Sequence, residues 1–235
     1  GPNASGKSSL AIELAKRYNG EILSADSRQV YKGFDLCSGK VTKEEMEIIP
    51  HHMINICNVG DDYSVSEYQK AVYELIPQIV SRGHIPLLVG GTGLYISSVV
   101  YGYQFEKELQ DPEFRKELEE KSVEELQKML PREALEYFNG NRSDLYNKRR
   151  LIRVLERLRS GEKLEQRNQP IFNTLQLGVR WKKEILHQRI EERLRDRLDK
   201  GMVEEVRNYL NDGFPPDELY RLGLEYRYIS RYVEG

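Results

Sequence analysis

Gly1-Pro2-Asn3-Ala4-Ser5-Gly6-Lys7-Ser8-Ser9 opens the chain and fits the pattern G-x-x-x-x-G-K-[ST]. Glycine at both ends of the pattern lets the backbone curl so that successive N–H groups face phosphate oxygens. Lys7 brings a point charge to the outer phosphates, and the Ser8 hydroxyl can hold Mg²⁺. The apolar positions Leu10, Ala11, Ile12, Leu14 and Ala15 predict a helix directly afterwards, whose N-terminal end adds its dipole to the anion site. Residues 1–8 are therefore expected to bind a phosphate or diphosphate, although the loop does not say which molecule carries it. The apolar strand that ordinarily precedes such a loop is expected upstream of this sequence, and more chain is expected beyond the aromatic-rich residues 220–232.

Composition narrows the class. The 235 residues, 39% hydrophobic and 31% charged, suit one large domain or a core with an insertion. No apolar run reaches the roughly 18 residues of a membrane span. Cys37 and Cys57 are too few for a disulfide framework and lack metal-ligand spacing, so a reduced, cytoplasmic setting is expected. A net charge of −2 excludes a polycation, but a local basic patch suffices to hold nucleic acid.

Further along, Glu21-Ile22-Leu23-Ser24-Ala25-Asp26 reads as a strand delivering one carboxylate beside the loop, because ligands of open α/β sheets sit at strand carboxyl ends. Asp26 could instead be a helix N-cap. Ser27, Arg28 and Gln29 follow as groups able to read a base or a phosphate. The adjacent His51 and His52 cannot share a helical face and have no third ligand at suitable spacing, which favours a structural role over a metal site. Ser64 with Glu67 three residues on predicts a capped amphipathic helix over 64–79, after a shorter helical turn at 42–46. Ile85-Pro86-Leu87-Leu88-Val89 predicts a buried parallel strand. It runs into Gly90-Gly91-Thr92-Gly93, where backbone can approach a ligand and Thr92 can donate to a diphosphate. The strand ends in glycine rather than a Mg²⁺-binding Asp, which argues against nucleotide hydrolysis.

From about Gln104 the chain turns rich in Glu, Lys, Arg and Leu with helical spacing, the mark of a helical insertion. Its last helix sets Arg149, Arg153 and Arg157 beside an apolar face of Leu151, Leu155 and Leu158, with Glu156 the single acidic residue within 148–159. Such charges commonly form a solvated face; here their excess favours contact with a phosphate backbone. Leu175, Leu177 and Val179 alternate with polar residues and predict a strand returning to the core sheet. A long helix then carries Leu186, Ile190, Leu194 and Leu198 flanked by Arg189, Arg193 and Arg197, one of which could reach the loop site bidentately. Gly201 is expected to break this helix.

These residues together resemble the tRNA dimethylallyltransferase (tRNA isopentenyltransferase) family. The resemblance rests on the opening loop, on Ser24-Ala25-Asp26-Ser27-Arg28-Gln29-Val30-Tyr31, on Pro50-His51-His52 and on Leu88-Val89-Gly90-Gly91-Thr92-Gly93-Leu94-Tyr95. It continues through Asp111-Pro112-Glu113-Phe114-Arg115 and His187-Gln188-Arg189-Ile190-Glu191-Glu192-Arg193. It implies an α/β, P-loop NTPase-like parallel sheet flanked by helices, with a discontinuous core over 1–103 and 173–235. The all-helical insertion over 104–172 would grip the tRNA anticodon arm. It also implies transfer of a dimethylallyl group from its diphosphate to the N6 amine of the adenine 3′ of the anticodon. Asp26 would be the base, Thr92 and Arg193 would stabilise the diphosphate, and Mg²⁺ would sit at Ser8. The tRNA would meet Asp26, Ser27, Arg28, Gln29, Thr92, Arg115, Arg149 and Arg153, and the protein is expected to act as a monomer away from membranes. Two departures stand out: Leu222-Gly223-Leu224-Glu225-Tyr226 where the family has Ile-Gly-Tyr-Lys/Arg, and Cys37-Ser38-Gly39-Lys40-Val41 where it tends to have Gly-Thr-Ala-Lys-Pro. An adenylate isopentenyltransferase, a small-molecule kinase using the loop for ATP, and an RNA-binding relative without turnover are the competing readings.

Overall fold

The computed structural model describes residues 1–105, 111–138, 142–161, 164 and 169–235, the side chain of Arg142 excepted. The chain divides into two units, one formed by Gly1–Val100 with Phe172–Gly235, the other by Tyr101–Ile171. The boundaries expected with the family resemblance were 103/104 and 172/173, the first also marked by the shift in composition near Gln104.

The first unit is built on a three-stranded parallel sheet in the order β2-β1-β3, with β1 at Gly20–Ser24, β2 at His51–His52 and β3 at Ile85–Val89. Side chains of successive β1 residues point to opposite faces, and the packing follows. Ile22 joins Ala11, Ile12 and Ala15 of α1 (Lys7–Tyr18), while Leu23 joins Tyr68, Val72 and Ile79 of α4 (Val65–Ser81) and Tyr95 and Val99 of α5 (Gly93–Tyr101). Between β1 and β2 lie the short helices α2 (Asp35–Ser38) and α3 (Lys43–Ile48). Thr42–Glu45 and Ser64–Glu67 form reciprocal capping boxes that start α3 and α4. β3 departs from expectation: it is an edge strand with Ile85 49% exposed, so it is parallel but not buried.

Within the second unit the described residues form helices and no strand: α6 (Pro112–Glu120), α7 (Val123–Met129), α8 (Arg132–Tyr137), a 3-10 turn at Arg142–Tyr146 and α9 (Lys148–Arg159). Leu118, Leu126, Ala134, Leu151 and Leu155 make its core.

The chain returns to the first unit through residues 172–182, which form neither helix nor strand. The strand expected at 175–179 does not form, and Leu175 is 83% exposed. The long helix expected here forms as α10 (Lys183–Asp199), but it buries none of its residues, and its apolar line of Ile190, Leu194 and Leu198 is exposed. Gly201, at φ +97°, ends it and begins α11 (Met202–Asn211), as its position suggested. α12 (Pro216–Leu222) and α13 (Leu224–Glu234) pack with α11 around Phe34, Met202, Val206 and Tyr226.

Candidate active site

Ala4 and Gly6 both take left-handed backbone, at φ +56° and +87°, and turn the loop into the first turn of α1. The Lys7 ammonium folds back on the loop, donating to the carbonyls of Gly1 at 2.9 Å and Pro2 at 2.7 Å. Partial burial lowers its pKa, the charge of Asp26 opposes that shift and Arg193 adds to it. Ser8 stands at the same helix start with its side chain open to the cleft.

The second wall comes from the carboxyl ends of β1 and β3. Gly90 is demanded by their approach, since a Cβ there would lie 2.0 Å from the Ala25 carbonyl oxygen. Beyond it the Thr92 N–H donates to that carbonyl at 3.0 Å, and the Thr92 hydroxyl accepts from the Ser27 N–H at 2.9 Å. Asp26 is not a helix cap: its carboxylate accepts from the Arg28 N–H at 2.9 Å, tying the turn after β1. Gln29 accepts from the Ser24 hydroxyl at 2.9 Å and donates to the Gly39 carbonyl at 3.2 Å.

A third wall is α10 with the loop before α3. Arg193 donates to the Gly39 carbonyl at 2.9 Å. Although much of its side chain is open to solvent, partial desolvation of the guanidinium and then the neighbouring Arg197 lower its pKa, against Asp26 and Glu225. The loop it touches is tied down strongly. The Lys40 ammonium, 1% exposed, reaches the carbonyls of Tyr31 and Gly33 and the side chains of Asp35 and Asn55. Glu205 accepts from the N–H groups of Leu36 and Cys37, whose carbonyls accept from Arg197.

A cleft of about 480 Å³ opens between the phosphate loop, Gly39–Lys40 and α10, lined by Lys7, Ser8, Arg189 and Arg193 among others. Asp26 and Thr92 stand outside that lining, yet the Asp26 charge acts on both Lys7 and Arg193. Lys7, Arg189 and Arg193 suit the loop side of the cleft to an anion, while Glu45, Glu192 and Asp196 also line it and the Asp26 carboxylate stands outside the lining.

Arg115, Arg149 and Arg153 belong to the other unit. There Arg115 and Arg153 flank Glu156, at 3.6 and 3.9 Å, while Arg149 is exposed. Arg157 instead lies over the Tyr137 ring at 5.9 Å, and so is turned toward packing. Carboxylates from elsewhere in the unit also meet this helix, Asp144 pairing with Arg150 and Asp111 with Arg159. The histidines are structural in this geometry. His52 Nε2 lies 2.5 Å from buried Glu21, which also pairs with Arg82 and His84. Arg82 first, with His52 and His84 and against the effect of burial, holds the Glu21 pKa down to about 2. No group of three or more potential His, Cys, Asp or Glu metal ligands occurs among the described residues.

Sequence reasoning missed Lys40 and Trp181. The first was the one residue of Cys37-Ser38-Gly39-Lys40-Val41 that agrees with the family pattern, and the second gave no signal.

The sequence profile described as IPP transferase matches residues 29–235. The chain is 41% identical over 238 residues to tRNA dimethylallyltransferase 2 of Shewanella sediminis, spanning 100% of this chain and 78% of that protein. The crystal structure of a tRNA delta(2)-isopentenylpyrophosphate transferase from Staphylococcus epidermidis superposes with a TM-score of 0.68 at 34% identity, covering 100% of this chain and 78% of that one. That of the full-length tRNA isopentenylpyrophosphate transferase from Bacillus halodurans gives 0.65 at 29% identity, covering 100% and 82%.

Proposed function

The chain belongs to the IPP transferase family, and we propose that it transfers a dimethylallyl group from dimethylallyl diphosphate to the N6 amine of the adenine 3′ of the anticodon in tRNA. The observation that carries this reading is the pairing of Lys7 with Arg193 across one anion cleft, with the Asp26 charge acting on both.

The N6 lone pair forms a bond to the allylic carbon as the C–O bond to diphosphate breaks. Negative charge grows on the leaving oxygen, and Lys7, the loop N–H groups and Arg193 stabilise it as it develops. Thr92 orders the turn that carries Asp26 and stands ready to donate to the diphosphate. Asp26 accepts the proton that N6 must lose. The adenine has to leave its stack to reach this site. The Ser8 hydroxyl, open to the cleft, would be the ligand that this chain offers to a Mg²⁺ ion, since no group of three or more candidate His, Cys, Asp or Glu ligands occurs among the described residues. Bound there, Mg²⁺ would neutralise charge on the leaving group. Ser27, Arg28 and Gln29 border the adenine, and Arg115, Arg149 and Arg153 hold RNA phosphates. The protein works as a monomer, and its two free, buried cysteines suit a reducing cytoplasm. Among the described residues no helix is long and apolar enough to cross a membrane.

The test is incubation with dimethylallyl diphosphate and unmodified tRNA, or with AMP, followed by mass spectrometry of the nucleosides. Prenylated adenosine 3′ of the anticodon is expected. Product on AMP alone points to an adenylate prenyltransferase, ATP consumption without prenylation to a kinase, and RNA binding without product to a non-catalytic relative.

A further inference from the structure

The phosphate loop is held by two side chains that the chemistry above does not use, Trp181 and Arg189, the second of which also lines the cleft. The Trp181 indole N–H donates to the Ser5 carbonyl at 2.8 Å, and Arg189 Nε donates to the Ala4 carbonyl at 2.9 Å. The two donors brace each other, the Arg189 guanidinium lying over the Trp181 ring at 5.0 Å. Backbone of the same segment presses on the loop's start: a Cβ on Gly1 would meet the Val179 carbonyl oxygen at 3.0 Å. Ala4 carries a side chain at φ +56°, a conformation that is strained for an L-residue and persists where its surroundings enforce it.

From this we infer that Trp181 and Arg189 are positioning residues for the phosphate loop. A peptide unit is planar, so fixing the carbonyls of Ala4 and Ser5 also fixes the orientation of the N–H groups that follow them in the same planes. Holding Ala4 and Ser5 in this way presets the donors for the diphosphate before it arrives, which lowers the ordering cost of binding. Arg189 precedes Arg193 by one helical turn, so the same helix that braces the loop sets the opposite cation's distance from it. The segment at 175–181, which pairs with no strand among the described residues, thus has a place in the site.

This rests on the diphosphate reading above. Trp181→Phe keeps a ring under Arg189 and removes only the N–H; Arg189→Lys keeps the charge and removes the Nε donor. The probe is inorganic diphosphate with Mg²⁺, titrated calorimetrically, alongside KM values for dimethylallyl diphosphate and for tRNA and thermal melts of each variant. Each single variant is expected to lose roughly tenfold in diphosphate affinity, and the double variant well short of the hundredfold of independent residues, because both act on one loop. The KM for tRNA and the melting temperature should stay near wild type. Unchanged diphosphate affinity in Trp181→Phe would overturn the inference, as would full multiplication in the double variant or a fall in melting temperature that accounts for the loss. Failure of the wild-type protein to prenylate tRNA would instead overturn the functional reading, whatever the variants bind.

Discussion

Arg193 and Gln29 share one acceptor, the carbonyl oxygen of Gly39, at 2.9 and 3.2 Å. Gly39 can offer it because it sits at φ +60° without a side chain; a Cβ there would lie 2.3 Å from Arg193 Nη2. The guanidinium is therefore parked on a neutral backbone group at the cleft rather than spent on a carboxylate. A diphosphate would outbid that carbonyl through bidentate, charge-assisted bonds.

Arg193→Gln keeps a donor for Gly39 but no charge. Single-turnover prenyl transfer is expected to fall by about 10²–10³, the usual cost of removing one donor to a developing anion. Melting temperature and tRNA affinity should barely move. A variant that transfers at the wild-type rate would take Arg193 out of the reaction.

Much of the frame follows from local rules and was legible for that reason. Ser64 and Glu67 cap α4 because both partners lie within one turn, and α9 buries Leu151 and Leu155 because helical spacing puts them on one face. Asp26 was readable as a carboxylate at a strand end, since β1 is short and wholly buried. What failed depends on partners distant in sequence. Leu175 and Leu177 alternate correctly, yet pairing needs a neighbouring strand, and among the described residues none takes them. The α10 stripe has good helical spacing, and the helix forms, but no residue of it is buried among the described residues. Trp181 reaches Ser5 across 176 residues, and Lys40 finds acceptors from Tyr31 to Asn55, geometry that no motif spells out.

Glu21 predicts a pH dependence of stability. An unfolded carboxyl titrates near 4.5, whereas folded Glu21, paired with Arg82, His52 and His84, titrates at about 2. Between these values the unfolded chain binds more protons, so this contribution is complete above about pH 4.5 and is lost as pH falls toward 2. It amounts to roughly 3 kcal/mol at most. Urea midpoints of wild type and Glu21→Gln should therefore converge between pH 5 and pH 3. A constant gap across that range would show that Glu21 stabilises by packing rather than by its charge.

The arginines of α9 separate into two kinds. Arg149 and Arg153 have exposed side chains, whereas Arg157 lies over Tyr137. Neutralising Arg149 and Arg153 together is expected to weaken tRNA binding and flatten the slope of log affinity against log salt by about 0.7–0.9 per lost phosphate contact. Arg157→Gln should leave that slope alone. If the double variant keeps the wild-type slope, these charges are a solvated face.

Asp26 carries the sharpest prediction. Its carboxylate is fixed by the Arg28 N–H, follows the buried strand β1, and acts on the two cations assigned to the leaving group. An adenine amine is a poor nucleophile because its lone pair is delocalised into the ring, so its proton must leave during or soon after attack. A base within reach contributes about 10²–10⁴-fold. Asp26→Asn retains an oxygen acceptor for the Arg28 N–H, so the turn should survive while the basicity is lost. Diphosphate and tRNA are expected to bind nearly as before, and single-turnover transfer to fall by that factor. Loss of tRNA affinity with an intact chemical rate would make Asp26 a residue that holds the adenine rather than deprotonates it. If neither quantity changes, its work ends with the turn it ties.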